Sequence, residues 1–233
     1  MDLSRLSPKE MQECFAAFGP EPQMQLYDRG IRRRLAPMLE GDQGRLRLAY
    51  SLQFTLPGTP VIRYGEELGM GDDLSLPERA ALRTPMQWSD TQGGGFSSAD
   101  DLVRPVIADG PFGYPTVNVA ASRMDPESLL SWFQRMIPTL RECPEVGTGT
   151  CTPVEVDEPA VLVHRMDATQ GVLLFLHNLG RDDVVVDVGR QPGQEGKPVE
   201  VFSDRAYKPV RADLKQVPLA GSGFRWLRLR RTA

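Results

Sequence analysis

Cysteine is scarce in this chain of 233 residues. Cys14, Cys143 and Cys151 are an odd number with no CxxC pair, which argues against a disulfide framework or a zinc site. Histidine is scarcer: His164 and His177 are the only two, and both lie inside strand-like runs, so they read as structural residues rather than catalytic ones. Positive charge is not in excess. The 27 Lys and Arg residues against 31 Asp and Glu leave a net charge of −4, and no basic patch stands out, so no nucleic-acid partner is expected. Apolar runs are short, as in VLLFL at Val172–Leu176, far below the roughly 20 residues that cross a bilayer. The opening MDLSRLSPKE has no basic and then apolar leader, and the expectation is a cytoplasmic protein without membrane association. GxSxG, HExxH and GxxxxGK[ST] are missing, and Gly69 and Gly71 do not complete a GxGxxG. The common serine-hydrolase, zinc-protease, NTPase and dinucleotide-binding routes therefore have no support.

What is present is the composition of a globular protein, 40% hydrophobic and 25% charged. Two domains are expected, 1–147 and 148–233. Ser7-Pro8 followed by KEMQECFAAF predicts a capped helix ending at Gly19-Pro20. In GIRRRLAPML, the run Arg32, Arg33, Arg34 reads as a solvated helix face. A largely buried helix is predicted over Arg45–Leu56, and a buried strand over Thr59–Tyr64, between Pro57-Gly58 and Gly65. The stretch Leu74–Asn118 has little periodicity and is rich in Gly, Pro, Ser and Asp. A connection that long is usually functional or disordered. Asp125-Pro126 is expected to cap an amphipathic helix carrying Leu129, Trp132, Phe133 and Met136, with Pro138 kinking its last turn. Beyond Gly147, short apolar runs separated by turn residues (AVLVHRM, GVLLFLHNL, DVVVDV, PVEVFS, FRWLRLR) predict a small antiparallel sheet or sandwich. Asp167–Gly171 is expected to be a hairpin turn, and GRQPGQEGKP a longer polar turn.

After the expected strand come carboxylates (Glu66, Glu67, Asp72, Asp73, Asp90), arginines (Arg63, Arg79, Arg83) and aromatics (Tyr64, Trp88, Phe96, Phe112, Tyr114). That mixture suits a sugar, whose hydroxyls bind carboxylate and guanidinium groups while its C–H faces rest on aromatic rings.

Here the motifs carry a resemblance. GTPVIRYGEELGMGDDLSLPERAALRTPMQW, Gly58–Trp88, resembles the segment after the eighth barrel strand in the α-amylase superfamily, glycoside hydrolase family 13. Within it, GMGDDLSLPER, RTPMQWS, GGFSSAD and GYPTVNVA, preceded by QLYDRGIRRRLAPML, resemble the branch that interconverts maltose and trehalose by glucosyl transfer. Ser128–Gly147 resembles the eighth barrel helix, and Val154–Arg230 the C-terminal β-domain. The resemblance implies a fold that is α/β plus all-β: a C-terminal remnant of a TIM (β/α)8 barrel, with its last strand and flanking helices, followed by a small antiparallel β-sandwich.

The same resemblance implies what the chain does not carry. The family's Asp nucleophile, Glu acid/base and second Asp lie on earlier strands. No NHDE-type or GxRxD-type motif occurs here, so no catalytic residue is assigned. Glu66 and Glu67 cannot fill the vacancy. A retaining mechanism needs two carboxylates facing each other about 5 to 5.5 Å apart, and adjacent residues at a strand end point in different directions. By resemblance, Arg83, Gln87 and Glu66 form the sugar-facing rim, with Phe96 and Tyr114 as aromatic walls. Maltose, trehalose or a related α-glucoside is the implied ligand, no metal or cofactor is implied, and the chain alone is expected to be inactive. The alternatives are a non-catalytic carbohydrate-binding protein, or a subunit complementing a separately encoded N-terminal barrel half. Without such a partner, the apolar faces of the helices around 45–54 and 128–140 are expected to be exposed.

Overall fold

The computed structural model describes residues 3–169 and 171–231. In chain order its helices are α1 (Pro8–Phe18), α2 (Leu35–Met38), α3 (Gln43–Thr55), α4 (Val119–Met124), α5 (Leu129–Arg141) and α6 (Pro144–Thr148). Its strands are β1 (Gln25–Leu26), β2 (Gly30–Ile31), β3 (Thr150–Val154), β4 (Val161–Ala168), β5 (Gly171–Asn178), β6 (Val184–Val186), β7 (Gln194–Ser203), β8 (Val217–Leu219) and β9 (Phe224–Arg231). The chain divides into two compact units, each discontinuous in sequence: residues up to 42 with 62–133, and 43–61 with 134 onward.

In the first unit, α1 begins as its sequence predicts. The Ser7 side chain accepts from the Glu10 backbone N–H, and the Glu10 carboxylate accepts from the Ser7 N–H at 2.9 Å, a reciprocal capping box. The arginine run corrects the reading of a solvated helix face. Arg32 and Arg34 are 7% and 2% exposed, on extended backbone between β2 and α2. Arg32 donates from Nε to Gln23 O, from Nη1 to Leu76 O and Glu78 O, and from Nη2 to Leu74 O, at 2.6 to 3.1 Å. Arg34 donates from Nη1 to Tyr64 O (2.9 Å) and to the Glu66 carboxylate (3.2 Å), and from Nη2 to Leu82 O (3.0 Å). The physical reason is the irregular backbone around them, whose carbonyls have no ladder to accept from; a guanidinium with five donors satisfies several at once. The turn that Arg34 holds, Glu66–Leu68, lies between Gly65 (φ 84°) and Gly69 (φ 76°). Both are left-handed, and a Cβ at Gly65 would collide with Met70 Sδ.

The strand expected over Thr59–Tyr64 does not form. Residues 59–63 join no ladder, Val61 is 78% exposed and Tyr64 47%. A barrel strand exists through parallel neighbours on both sides, and every strand pair among the described residues is antiparallel. The helices fare oppositely. Leu46 of α3 and Met136 of α5 are fully buried and Trp132 nearly so, which corrects the expectation of bare apolar helix faces. α5 is capped by Ser128, whose Oγ accepts from Ser131 N at 3.1 Å, while Asp125 closes an earlier turn onto Glu127 N.

The second unit is built on a five-stranded antiparallel sheet in the order β3-β4-β5-β9-β7. β5 is buried at all eight positions, because both of its faces are covered. Val172, Leu174 and Leu176 join Val217 and Leu219 of the β6-β8 ribbon and Val186 in one apolar cluster. The opposite face carries Phe175 and His177, and there Ser51 and Thr55 of α3 bond to His177 and to His164 of β4. This period-2 division sets the two-stranded β6-β8 sheet on one face of the five-stranded sheet and a helix on the other. Of the turn expected at 167–171, residue 170 lies outside the described residues; the pair Ala168↔Gly171 closes that hairpin. The polar turn GRQPGQEGKP is shorter than expected, since β7 already begins at Gln194.

Candidate functional site

The motif residues Arg83–Trp88 are fixed from both ends. Arg34 lies over the Tyr64 ring, 5.5 Å from its centroid, and the Tyr64 hydroxyl donates to Thr84 O at 2.9 Å. Gln87 is fully buried, and its Nε2 donates to Phe112 O (3.1 Å) and Val117 O. The backbone is held as well: Trp88 N–H donates to Gly94 O at 2.7 Å, Val119 N–H to Gln87 O and Ala120 N–H to Trp88 O, each at 3.0 Å. Asn118 then caps α4 through Ala121 N (2.8 Å) and ties back to Tyr114 O (2.9 Å). Tight approach requires glycine at Gly94, which has φ 64° and whose added Cβ would lie 3.0 Å from Val106 and 3.3 Å from Tyr114.

These bonds leave a hollow of about 810 Å³ walled by Tyr64, Met86, Trp88, Phe96 and Val103, with Glu67 and Arg83 as polar groups on its lining. Its size falls within the range of small-molecule pockets. Trp88 and Phe96 are 49% and 50% exposed, so their ring surfaces are open. Arg83 is exposed, and its guanidinium group makes no hydrogen bond or ion pair among the described residues.

Of the five residues assigned to the sugar-facing rim, the structure brings two together, Arg83 and Phe96, on this lining. Glu66 instead pairs with Arg34, Gln87 sits beneath the loop, and Tyr114 packs beside Gly94. Tyr64, Glu67 and Trp88 line the hollow and were not singled out for the rim, although all lie in the aromatic and carboxylate cluster visible in the sequence. Their signal was composition; what separated them from their neighbours was which side chains the buried hydrogen bonds consumed. Among the described residues no group of three or more His, Cys, Asp or Glu is placed to hold a metal ion, and no helix is long and apolar enough to cross a membrane.

The fold and sequence of this chain meet counterparts in known proteins. Residues 31–146 match the α-amylase catalytic-domain family, and the structure of a trehalose-6-phosphate hydrolase from Bacillus licheniformis superposes with a TM-score of 0.70 at 19% identity, covering 85% of this chain and 41% of that one. The chain belongs to the α-amylase superfamily. Within it, the resemblance along nearly the whole chain is to trehalose synthases. That of Thermus thermophilus is 36% identical over 213 residues, 90% of this chain and 22% of that protein. That of Pimelobacter sp. (strain R48) is 35% identical over 235 residues, 98% of this chain and 41% of that protein. The chain thus spans between about a fifth and two fifths of the length of these relatives.

Proposed function

We propose that this chain is the C-terminal, substrate-shaping portion of a trehalose synthase-like enzyme that interconverts maltose and trehalose by intramolecular glucosyl transfer. The observation that carries the reading is the hollow of about 810 Å³ in which Trp88 and Phe96 present open ring faces beside Arg83 and Glu67. An α-glucoside ring rests its C–H face on such aromatics while its hydroxyls accept from guanidinium and donate to carboxylate. In the intact enzyme a closed rim of this kind holds the released glucose and excludes water, so that transfer back to the glycosyl-enzyme outruns hydrolysis. Along the sequence, the division is a barrel-rim part, 1–147, carrying the last barrel segment and its helices, and a β-domain, 148–233.

On this reading the chain alone binds sugar without turning it over. Glu66 is held by Arg34 at 3.2 Å, and Glu67 follows it on the same short 3-10 turn, an arrangement unlike two carboxylates facing across a bond. Titration calorimetry with maltose and trehalose tests the binding. Heat of binding that is lost in Trp88→Ala and Arg83→Ala supports the assignment; no heat with either sugar from the folded chain removes it. In a trehalose synthase of full length, the change equivalent to Arg83→Ala is expected to raise hydrolysis relative to isomerisation.

The relatives' greater length favours a second reading, complementation of a separately encoded N-terminal barrel half. Tyr64, Trp88, Phe96 and Val103, all exposed, supply apolar surface for such a contact. Co-expression that yields neither association nor maltose–trehalose interconversion removes it.

A further inference from the structure

A second hollow of about 310 Å³ lies in the same unit, bounded by the β1–β2 hairpin, Arg63 and the 3-10 turn Glu78–Leu82. We propose that it is a binding site for a phosphate-bearing anion, gripped by Arg29, Arg63, Arg79 and Arg83.

Every charged residue on its lining is an arginine: Arg29, Arg32, Arg63, Arg79 and Arg83. Arg32 is consumed by its four carbonyls. The Arg63 guanidinium donates from Nη1 to Leu82 O at 3.3 Å, a carbonyl that already accepts from Arg34 Nη2 at 3.0 Å. Arg29, Arg79 and Arg83 are exposed, and none of their guanidinium groups forms a hydrogen bond or ion pair among the described residues. The nearby Glu66 carboxylate is engaged by Arg34. Four guanidinium groups therefore border one concave space with no carboxylate on its wall, and the Tyr27 ring, on a left-handed turn residue (φ 54°) and 61% exposed, adds a phenol at its edge.

Like charges gathered in this way repel, and the repulsion registers at Arg63: burial first, then the charges of Arg34 and Arg83, push its pKa below the ordinary arginine value. An anion in the hollow relieves that repulsion. Guanidinium forks match phosphate oxygens in bidentate geometry, which makes phosphate a better occupant than a carboxylate or chloride. The site does not rest on the α-glucoside reading, since three of its four arginines lie off the aromatic hollow and only Arg83 borders both.

The test is calorimetric titration of the full chain with inorganic phosphate, glucose 1-phosphate and glucose 6-phosphate, against chloride at matched ionic strength. Phosphate is expected to bind, and Arg29→Ala with Arg79→Ala to weaken it by roughly tenfold for each charge-assisted bond removed. Both side chains are exposed, so the fold is expected to survive, which circular dichroism checks. Arg79→Lys, which keeps the charge and loses the fork, is expected to fall between the two. A sugar phosphate that binds at least tenfold tighter than inorganic phosphate identifies a phosphorylated sugar as the source of the group; equal affinities identify free phosphate. No binding above the chloride reference overturns the proposal, and so does an affinity that the double variant leaves unchanged. A parallel maltose titration separates the two sites: maltose binding without phosphate binding sinks this proposal alone, and the converse sinks the sugar site alone.

Discussion

Arg34 shows how one side chain can organise a loop. It is 2% exposed, donates to two carbonyls and one carboxylate, and lies over the Tyr64 ring. Replacing it with methionine keeps most of the apolar stem and removes every one of its donors to Tyr64 O and Glu66, and leaves Leu82 O with the longer bond from Arg63 Nη1 at 3.3 Å. The expected cost is about 3 kcal/mol, in the range for breaking a buried charged network, read as a lower urea midpoint for the Trp88 fluorescence transition. Sequence could not show this. A run of three arginines looks the same whether its heads meet solvent or backbone, and three of the four carbonyls that claim Arg32 lie more than forty residues away along the chain.

The two histidines work at the same scale. His177 Nε2 lies 2.9 Å from Ser51 Oγ, which also accepts from Trp226 Nε1 at 2.9 Å, and the His177 ring stacks on His164 at 5.6 Å between centroids. Burial, with the neighbouring His164 acting in the same direction, pushes the His177 pKa well below the ordinary histidine range; burial likewise lowers that of His164. Both therefore resist protonation in the folded chain, and the unfolded chain takes up their protons first. Stability is complete above the unfolded value of about 6.5 and falls as pH drops below it, by up to about 1.4 kcal/mol per pH unit for each histidine. Thermal unfolding of the wild type and of His177→Gln between pH 7.5 and 5 is expected to show a shallower acid loss in the variant. The reading of both histidines as structural residues came from their place in strand-like runs, and their partners here are a helix hydroxyl, a helix carbonyl and aromatic rings.

At the scale of elements, the legible ones are those whose partners reveal themselves through local pattern. α1 announced its start through Ser7, Pro8 and Glu10. The strands β4, β5 and β9 showed as apolar runs broken by turn residues. The strand expected over 59–64 failed for the opposite reason: its β-branched composition is local, while the ladder that makes a strand is not. β3 and β8 went unseen because each contains a proline, Pro153 and Pro218. Both lie where a missing donor is tolerated, on the edge of the large sheet and in a two-stranded ribbon. α1 buries no residue, so Ser7→Ala is expected to cost about 1 kcal/mol of helix stability and to leave the midpoint of global unfolding nearly unchanged. Amide exchange would place the difference within residues 8–18 alone, and slowest exchange is expected along β5, buried throughout.

For the molecule as a whole, the exposed large apolar side chains include Val61, Tyr64, Trp88, Phe96 and Val103, three of them aromatic residues on the lining of one hollow. Such a surface binds apolar dyes and promotes association. Trp88→Ser combined with Phe96→Ser is expected to reduce the fluorescence of bound anilinonaphthalene sulfonate severalfold, with an unchanged far-ultraviolet spectrum. The lining of the hollow was legible as a cluster of residue types; which of Arg83, Gln87, Glu66, Phe96 and Tyr114 reach it was not, because only the completed loop decides which side chains are spent on internal contacts.

Ser51 meets His177 across 126 positions and Trp226 across 175. The helix that covers one face of the sheet is thus made 175 residues ahead of its indole partner. On the ribosome α3 must wait, with Leu46 and Phe54 still unburied, until β9 has cleared the exit tunnel. Contacts of such long sequence separation form slowly, so this unit completes its fold only after β9 has emerged, and until then it depends on whatever shields nascent apolar surface.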